Sequence, residues 1–420
     1  MNNTLTDKDE LFPKHLRRGD QMLFAKKYDE AIEDYNEAIA LKPNYAPVYS
    51  IRGYAYRIKG DFESAIKDYT KLIELSPDNA EGYCDRGIAY SKNGEFERAI
   101  QDFNKAIQIK PNLADAYNGR GLTYHQKNEI DLAIQDFNTA IELRPDFAKA
   151  YNNRGIAYRD IGDADKTLED TSKAIELKPN FAHAYNNRGN AYVRKDITSL
   201  AITDYNKAIH LNPELAEAYC NRGVAYKNRG ELEVAIKDYT KAIELQPDYA
   251  EAYNNRGVVR NIKNEIDLAN KDFDAAIELK PGFVNAYGGR GYAYCAKGEY
   301  DRAIADYNTA IELKPNFAEA YNDRGLAYFA EGELELAIED LDKSIESNPN
   351  YAETYYNRAV VWSQMKRWED ARLDLRVANI IGKDSIPSFQ HINRSVVNLE
   401  QISDVKLPED IAAMLTPPQV

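Results

Sequence analysis

Arginine and aspartate recur in register along this chain of 420 residues: Arg18, Arg52, Arg86, Arg120, Arg154, Arg188, Arg222, Arg256, Arg290, Arg324 and Arg358, with Asp34, Asp68, Asp102, Asp136, Asp170, Asp204, Asp238, Asp272, Asp306, Asp340 and Asp374. A planar guanidinium matches a carboxylate through two parallel hydrogen bonds, so the expected chemistry is a ladder of structural ion pairs. A row of ligand-binding arginines is the competing reading. Asparagine is the second theme: Asn152, Asn153, Asn186, Asn187, Asn190, Asn221, Asn254, Asn255 and Asn261. An amide both donates and accepts, so such a row can hold the backbone of an extended peptide with little regard for its side chains. The plainer reading is that these amides belong to the ordinary pattern of the chain and meet only water or a neighbouring loop. Between residues 149 and 227 the same face carries Lys149, Arg159, Arg194 and Lys227 against Asp160 and Glu217, and His183, like Lys149, stands where other repeats have an acid. That local excess of cations points to a bound segment of acidic or phosphorylated character.

Covalent or metal chemistry is not arranged for. The histidines His15, His125, His183, His210 and His391 form no metal-binding spacing, and Gly288-Gly289-Arg290-Gly291 lies within a predicted helix rather than after a strand. No nucleophile motif and no cofactor site emerges, so an enzyme is not expected. Cys84, Cys220 and Cys295 are too far apart for a disulfide framework, and a reducing, cytoplasmic setting is the simplest reading. A formal charge of −14 argues against duplex nucleic acid as a partner. No apolar run approaches the roughly 20 residues of a membrane span, and the start, MNNTLTDKDELF, is not that of a secretory signal.

The elements that position these residues follow from one period. Pro43, Pro77, Pro111, Pro145, Pro179, Pro213, Pro247, Pro281, Pro315 and Pro349 are each 34 residues apart. The period cuts the chain into eleven repeats, starting at Phe12, Ala46, Ala80, Ala114, Ala148, Ala182, Ala216, Ala250, Val284, Ala318 and Ala352. In the repeat from Ala216, Tyr219, Gly223 and Tyr226 share one helical face, and Leu232, Ala235, Ile236, Tyr239, Ala242 and Ile243 share a second. Gly230 breaks the chain between them and Pro247 follows the second. Counted from each repeat start, positions 4, 11 and 24 hold 23 of the 31 tyrosines, which makes most of these rings packing residues. Two short helices cannot enclose a core alone, so each pair must be covered by the next. Asp78 with Glu81, Asp248 with Glu251 and Asn316 with Glu319 read as capping boxes for the first helices.

The pattern Tyr219, Gly223, Tyr226, Ala235, Tyr239, Ala242, Pro247 resembles the tetratricopeptide repeat, over residues 12 to about 380. The resemblance implies an all-α fold: a right-handed superhelical solenoid whose first helices line a concave, protein- or peptide-binding groove. In that groove Asn153, Asn187, Asn221 and Asn255 are similar to the asparagine ladder in the repeat region of O-linked N-acetylglucosamine transferases. Thr167 and Thr171 in repeat 5, and Arg260 in repeat 8, depart from the pattern and predict the softest junctions.

The domains then read as a disordered N-terminus (1–11), the solenoid (12–383) and a C-terminal cap helix and tail (384–420). Phe389, Ile392, Val396 and Leu399 have helical spacing, as do Leu407, Ile411, Met414 and Leu415. The last group is either more cap or a tail that docks into another protein. In repeats 9 to 11, Tyr292, Phe329 and Tyr356 suggest a shallow secondary pocket, unless the tail folds back over it. The expected function is a non-enzymatic scaffold or adaptor binding an extended peptide or protein segment. The alternatives are a self-assembling structural protein whose terminal segments dock in neighbouring grooves, and a substrate-recognition subunit of a separate enzyme.

Overall fold

Why a glycine at position 8 in almost every repeat? The aromatic ring at position 24 lies flat on it. A Cβ on Gly19 would come within 2.6 Å of Tyr35, on Gly223 within 2.7 Å of Tyr239, and on Gly291 within 2.8 Å of Tyr307. With alanine at position 20 equally small, the two helices of a repeat close around a ring that is fully buried in Tyr35, Tyr239 and Phe273. The computed structural model describes residues 7–382 and 408–411, and among them it contains 22 α-helices, two per repeat. Those used below are the first helices α9 (Ala148–Asp160), α11 (Ala182–Arg194), α13 (Ala216–Asn228), α15 (Ala250–Ile262), α17 (Val284–Ala296), α19 (Ala318–Glu331) and α21 (Ala352–Gln364), and the last second helix, α22 (Trp368–Ile381). Between the helices of a pair, position 15 is left-handed. Glycine fills it six times, as at Gly230 with φ 80°, and Lys26, Asn128, Asp196, Asn264 and Lys366 adopt φ of 58–62° in the others. The helices gather into two compact bodies, Met1–Pro213 and Glu214–Val420.

The ion-pair ladder is present in all eleven repeats, from Arg18 on Asp34 to Arg358 on Asp374. Arg120 is representative: Nε and one terminal nitrogen bind Asp136 at 2.8 and 2.7 Å. Its remaining nitrogen reaches back to Asn104 of the preceding repeat at 2.5 Å, and the guanidinium lies between Tyr117 and Tyr124, 5.5 and 6.0 Å from the ring centroids. The same backward bond runs from Arg86 to Thr70, Arg154 to Asn138, Arg290 to Asp274 and Arg358 to Asp342. Each arginine therefore fastens its own helix pair and the joint behind it. Arg18, with no repeat before it, binds Asp34 through Nε alone, and His15 Nδ1 joins at 3.1 Å. The hydrogen bond to Asp136 outweighs the burial of Arg120 and holds it protonated. Burial pulls Asp68 and Asp170 upward against their arginines; the bidentate contacts of 2.6–2.8 Å identify both as ionised pairs.

In the atypical repeats the departing side chains find partners, although Arg260 Nε is buried without one. Thr167 and Thr171 are fully buried, and their hydroxyls donate to the backbone oxygens of Asp163 and Thr167 at 2.8 and 2.6 Å. Arg260 takes a second place on Asp272, at 2.7 Å beside Arg256.

Two expectations are corrected. The first helix begins at Asp7, so residues 7–11 are helical rather than part of a disordered terminus. The capping boxes are absent: the N-caps of α15 and α19 are Tyr249 and Phe317 without side-chain bonds, and in repeat 3 it is Asn79, one residue later than expected, that accepts from Gly82 N. The helix starts at the repeat's first alanine, which leaves position 33 one residue too early to cap it. Glu81 and Glu251 instead accept from Lys110 and Lys280 at the end of their own repeats, at 2.7 and 2.8 Å. Residues 384–407, which include Phe389, Ile392, Val396 and Leu399, lie outside the described residues, as do Met414 and Leu415.

Candidate functional site

First helices of adjacent repeats approach each other directly, so their outward face is a continuous surface within each body. The asparagines of that face turn out to interlock. Nδ2 of a position-6 amide donates to the position-5 Oδ1 one repeat earlier: Asn153 to Asn118 at 2.9 Å, Asn187 to Asn152 at 3.0 Å and Asn357 to Asn322 at 2.9 Å. Asn255 follows the same rule onto Cys220 Sγ at 3.7 Å, and burial raises that thiol to about 11, so it is protonated. Asn152, Asn186, Asn187 and Asn254 are buried between the helices, and Asn186 and Asn221 are engaged as well. Asn190 accepts from Tyr205 Oη at 2.7 Å, and Asn261 donates to the Gly289 carbonyl at 3.0 Å. Much of the amide capacity assigned to a ligand is thus used in joining repeats.

The cations fare differently. Arg159 is occupied by Asp160, which also takes His125 Nε2 at 2.8 Å. These hydrogen bonds outweigh the burial of Asp160 and hold its carboxyl below the usual range. Arg194 donates to the Arg159 carbonyl at 2.6 Å while its side chain stays exposed. Lys149 and His183 are exposed on α9 and α11, at the position where repeats 3 and 8 carry Glu81 and Glu251 in ion pairs. Lys227 is half-buried on α13, in the second body.

The expected secondary pocket divides. Tyr292 stands on α17 with 44% of its surface exposed. Phe329 and Tyr356 pack instead on a cluster of Ala359, Val360, Ala371 and Leu375 that Ile411, wholly buried, completes. Asp410 next to it binds Arg372 at 2.5 Å. The tail residues 408–411 therefore fold back onto the last repeat, beside Phe329 and Tyr356, and leave Tyr292 exposed. Among the described residues no set of histidine, cysteine and carboxylate side chains could hold a metal ion, and no helix is long and apolar enough to cross a membrane.

A family model described as "TPR repeat" matches residues 23–57, 53–94, 89–128, 121–162, 199–230, 291–332 and 325–365, and one described as "Tetratricopeptide repeat" matches 148–181 and 216–249. Among solved structures the chain is similar to that of the APC/C hetero-tetramer Cut9–Hcn1, with a TM-score of 0.53 at 16% identity over 91% of this chain and 95% of that one. It is also similar to MamA, at 32% identity over 39% of this chain and 96% of that one, with a TM-score of 0.34. YrrB, titled a TPR protein with an unusual peptide-binding site, aligns at 26% identity over 44% of this chain and 95% of that one, with a TM-score of 0.35. Comparison with curated proteins gives no match.

Proposed function

This chain belongs to the tetratricopeptide repeat family, and we propose that it is a non-enzymatic scaffold holding an extended protein segment on the face of its first helices. The observation that carries this reading is the pair of exposed cations Lys149 on α9 and Arg194 on α11. Lys149 and His183 replace the acids that pair with the terminal lysine in repeats 3 and 8, and Arg194 lies exposed on the same face. Where the repeat's own chemistry calls for an acid, a cation projects to solvent, and an acidic or phosphorylated segment would neutralise it. The buried amide column beneath gives these side chains a rigid base.

Fluorescence polarisation with labelled nonapeptides rich in glutamate, phosphoserine or serine tests the reading. Acidic peptides should bind at least tenfold more tightly than the serine control, and K149E with R194E should abolish that difference. Equal binding by the double variant would remove the acidic-segment reading. A second reading, self-assembly, draws on the docking of Asp410 and Ile411, since the same contact made between copies would join chains. Light scattering over a concentration series decides it: a monomer at all concentrations excludes assembly.

A further inference from the structure

The amide column is interrupted at repeat 9, where Gly288 and Gly289 occupy positions 5 and 6. On one side Asn254, 6% exposed, holds the position whose Oδ1 accepts from position 6 of the next repeat in Asn152 and Asn322; with Gly289 at that place its Oδ1 has no partner, and the buried Oδ1 of Asn261 also has none. On the other side Asp323 holds position 6 of repeat 10, the place from which Asn153, Asn187 and Asn357 donate in their own repeats. Asp323 accepts from Asn322 Nδ2 at 3.0 Å, and among the described residues no cation lies within ion-pair distance of it. Opposite it, a Cβ on Gly288 would find only Phe317 Cε1, at 4.0 Å. Gly289 differs, because a Cβ there would come within 2.5 Å of Phe273. Packing explains Gly289 and leaves the opening at Gly288 unexplained. Tyr292 stands one turn further along α17, 44% exposed. The group that corresponds to Gly288 in the column, Asp323, is an acceptor without a cation among the described residues, and the rings Phe317 and Tyr292 stand beside that glycine.

We propose that the opening at Gly288 is a binding site for a basic side chain, lysine or arginine, of the segment that the scaffold reading above places on this face. The cation would pair with the Asp323 carboxylate and lie against the Tyr292 ring. Burial, reinforced by Glu353 and Glu319 and opposed by the Asn322 bond, lifts the Asp323 carboxyl to about 7, the state of an acid that lacks a counter-charge. Burial, and beside it the charge of Asp323, pushes the Tyr292 hydroxyl and the Cys295 thiol upward.

The test uses the full chain and acetylated, amidated nonapeptides of alanine and serine with a central lysine, arginine, norleucine or glutamine, titrated calorimetrically. A charge-assisted pair should favour the lysine or arginine peptide over norleucine at least tenfold. G288N and D323N should each reduce that preference below threefold. G288N changes no charge, and a Cβ there meets nothing closer than Phe317 at 4.0 Å, so attraction to an acidic protein in general would survive it. Circular dichroism melting of both variants confirms that they fold. If the basic and norleucine peptides bind alike, or if G288N keeps the preference, the site is refuted while the scaffold reading stands. If none of these peptides binds while the acidic peptides of the polarisation assay do, the site is refuted and the scaffold reading stands; if neither set binds, both fall.

Discussion

The contact between glycine and ring yields a prediction that the periodic sequence alone would get wrong, because Gly155 and Gly223 occupy the same repeat position. In an ordinary helix interior, alanine is favoured over glycine by about 1 kcal/mol. At Gly223 the new methyl would sit 2.7 Å from Cε1 and 3.0 Å from Cδ1 of Tyr239, a ring with no exposed surface and no direction in which to yield. Forcing it aside costs about 2–3 kcal/mol, leaving G223A destabilised by about 1–2 kcal/mol. At Gly155 the nearest atom is the methyl carbon of Thr171 at 3.2 Å, a smaller group that needs to give only slightly. Most of the propensity gain survives there, so G155A should be neutral or stabilised by about 0.5 kcal/mol. A repeat protein need not unfold in one step, so the assay is native-state amide exchange read separately over residues 148–181 and 216–249. The difference of roughly 2 kcal/mol corresponds to about thirtyfold in local opening. Equal exchange changes in the two variants, or a stabilised G223A, would refute the packing argument.

Three further outcomes follow from the same contacts. D136A should destabilise its repeat by about 3 kcal/mol, since it strands a half-buried guanidinium. The swap R120D/D136R should recover only part of this, because Asn104 still presents its oxygen to the place of the lost cation; chemical denaturation of the three variants checks both statements. The Asp323 carboxyl takes up its proton near pH 7 when folded and near 3.8 when unfolded, so the folded state binds more protons between those values. Its contribution is full below about pH 4 and is lost as pH rises through 7; D323N should flatten that part of the melting temperature profile, and an unchanged slope would contradict it. I411A should raise amide exchange in α21 and α22 about tenfold, from the loss of roughly 1.5 kcal/mol of aliphatic burial; exchange unchanged in both helices would show that Ile411 does not hold the cap.

The helix pairs were legible because their determinants are local: glycine, ring and proline return on one period, and each packs within its own repeat. The partners that cross a joint were not. Position 25, where Asn104, Thr70 and Asp342 receive an arginine from the next repeat, is short and polar throughout the first ten repeats but changes between asparagine, threonine, serine and aspartate, and its role emerges only when the arginine's third nitrogen is in place. The asparagines illustrate the same limit. Positions 5 and 6 looked like one ligand-facing row, yet they are the two halves of a bond between neighbours, invisible without the offset of one repeat. Glu81 and Glu251 had a plausible local role as caps, and the real one lies at the far end of the repeat. The interruption at Gly288 could be found only once the column it interrupts was known.

The backward reach of each arginine makes the joints directional. Removing the repeat that follows a given pair deletes a donor and leaves a short polar side chain that water can serve. Removing the repeat before it leaves a guanidinium arm, half-buried between two tyrosines, without its acceptor. Within each body, shortening from the C-terminal side should therefore be gentler than shortening from the N-terminal side. A chain emerging N-terminus first meets this asymmetry in the favourable order, because every new arginine finds its acceptor already folded.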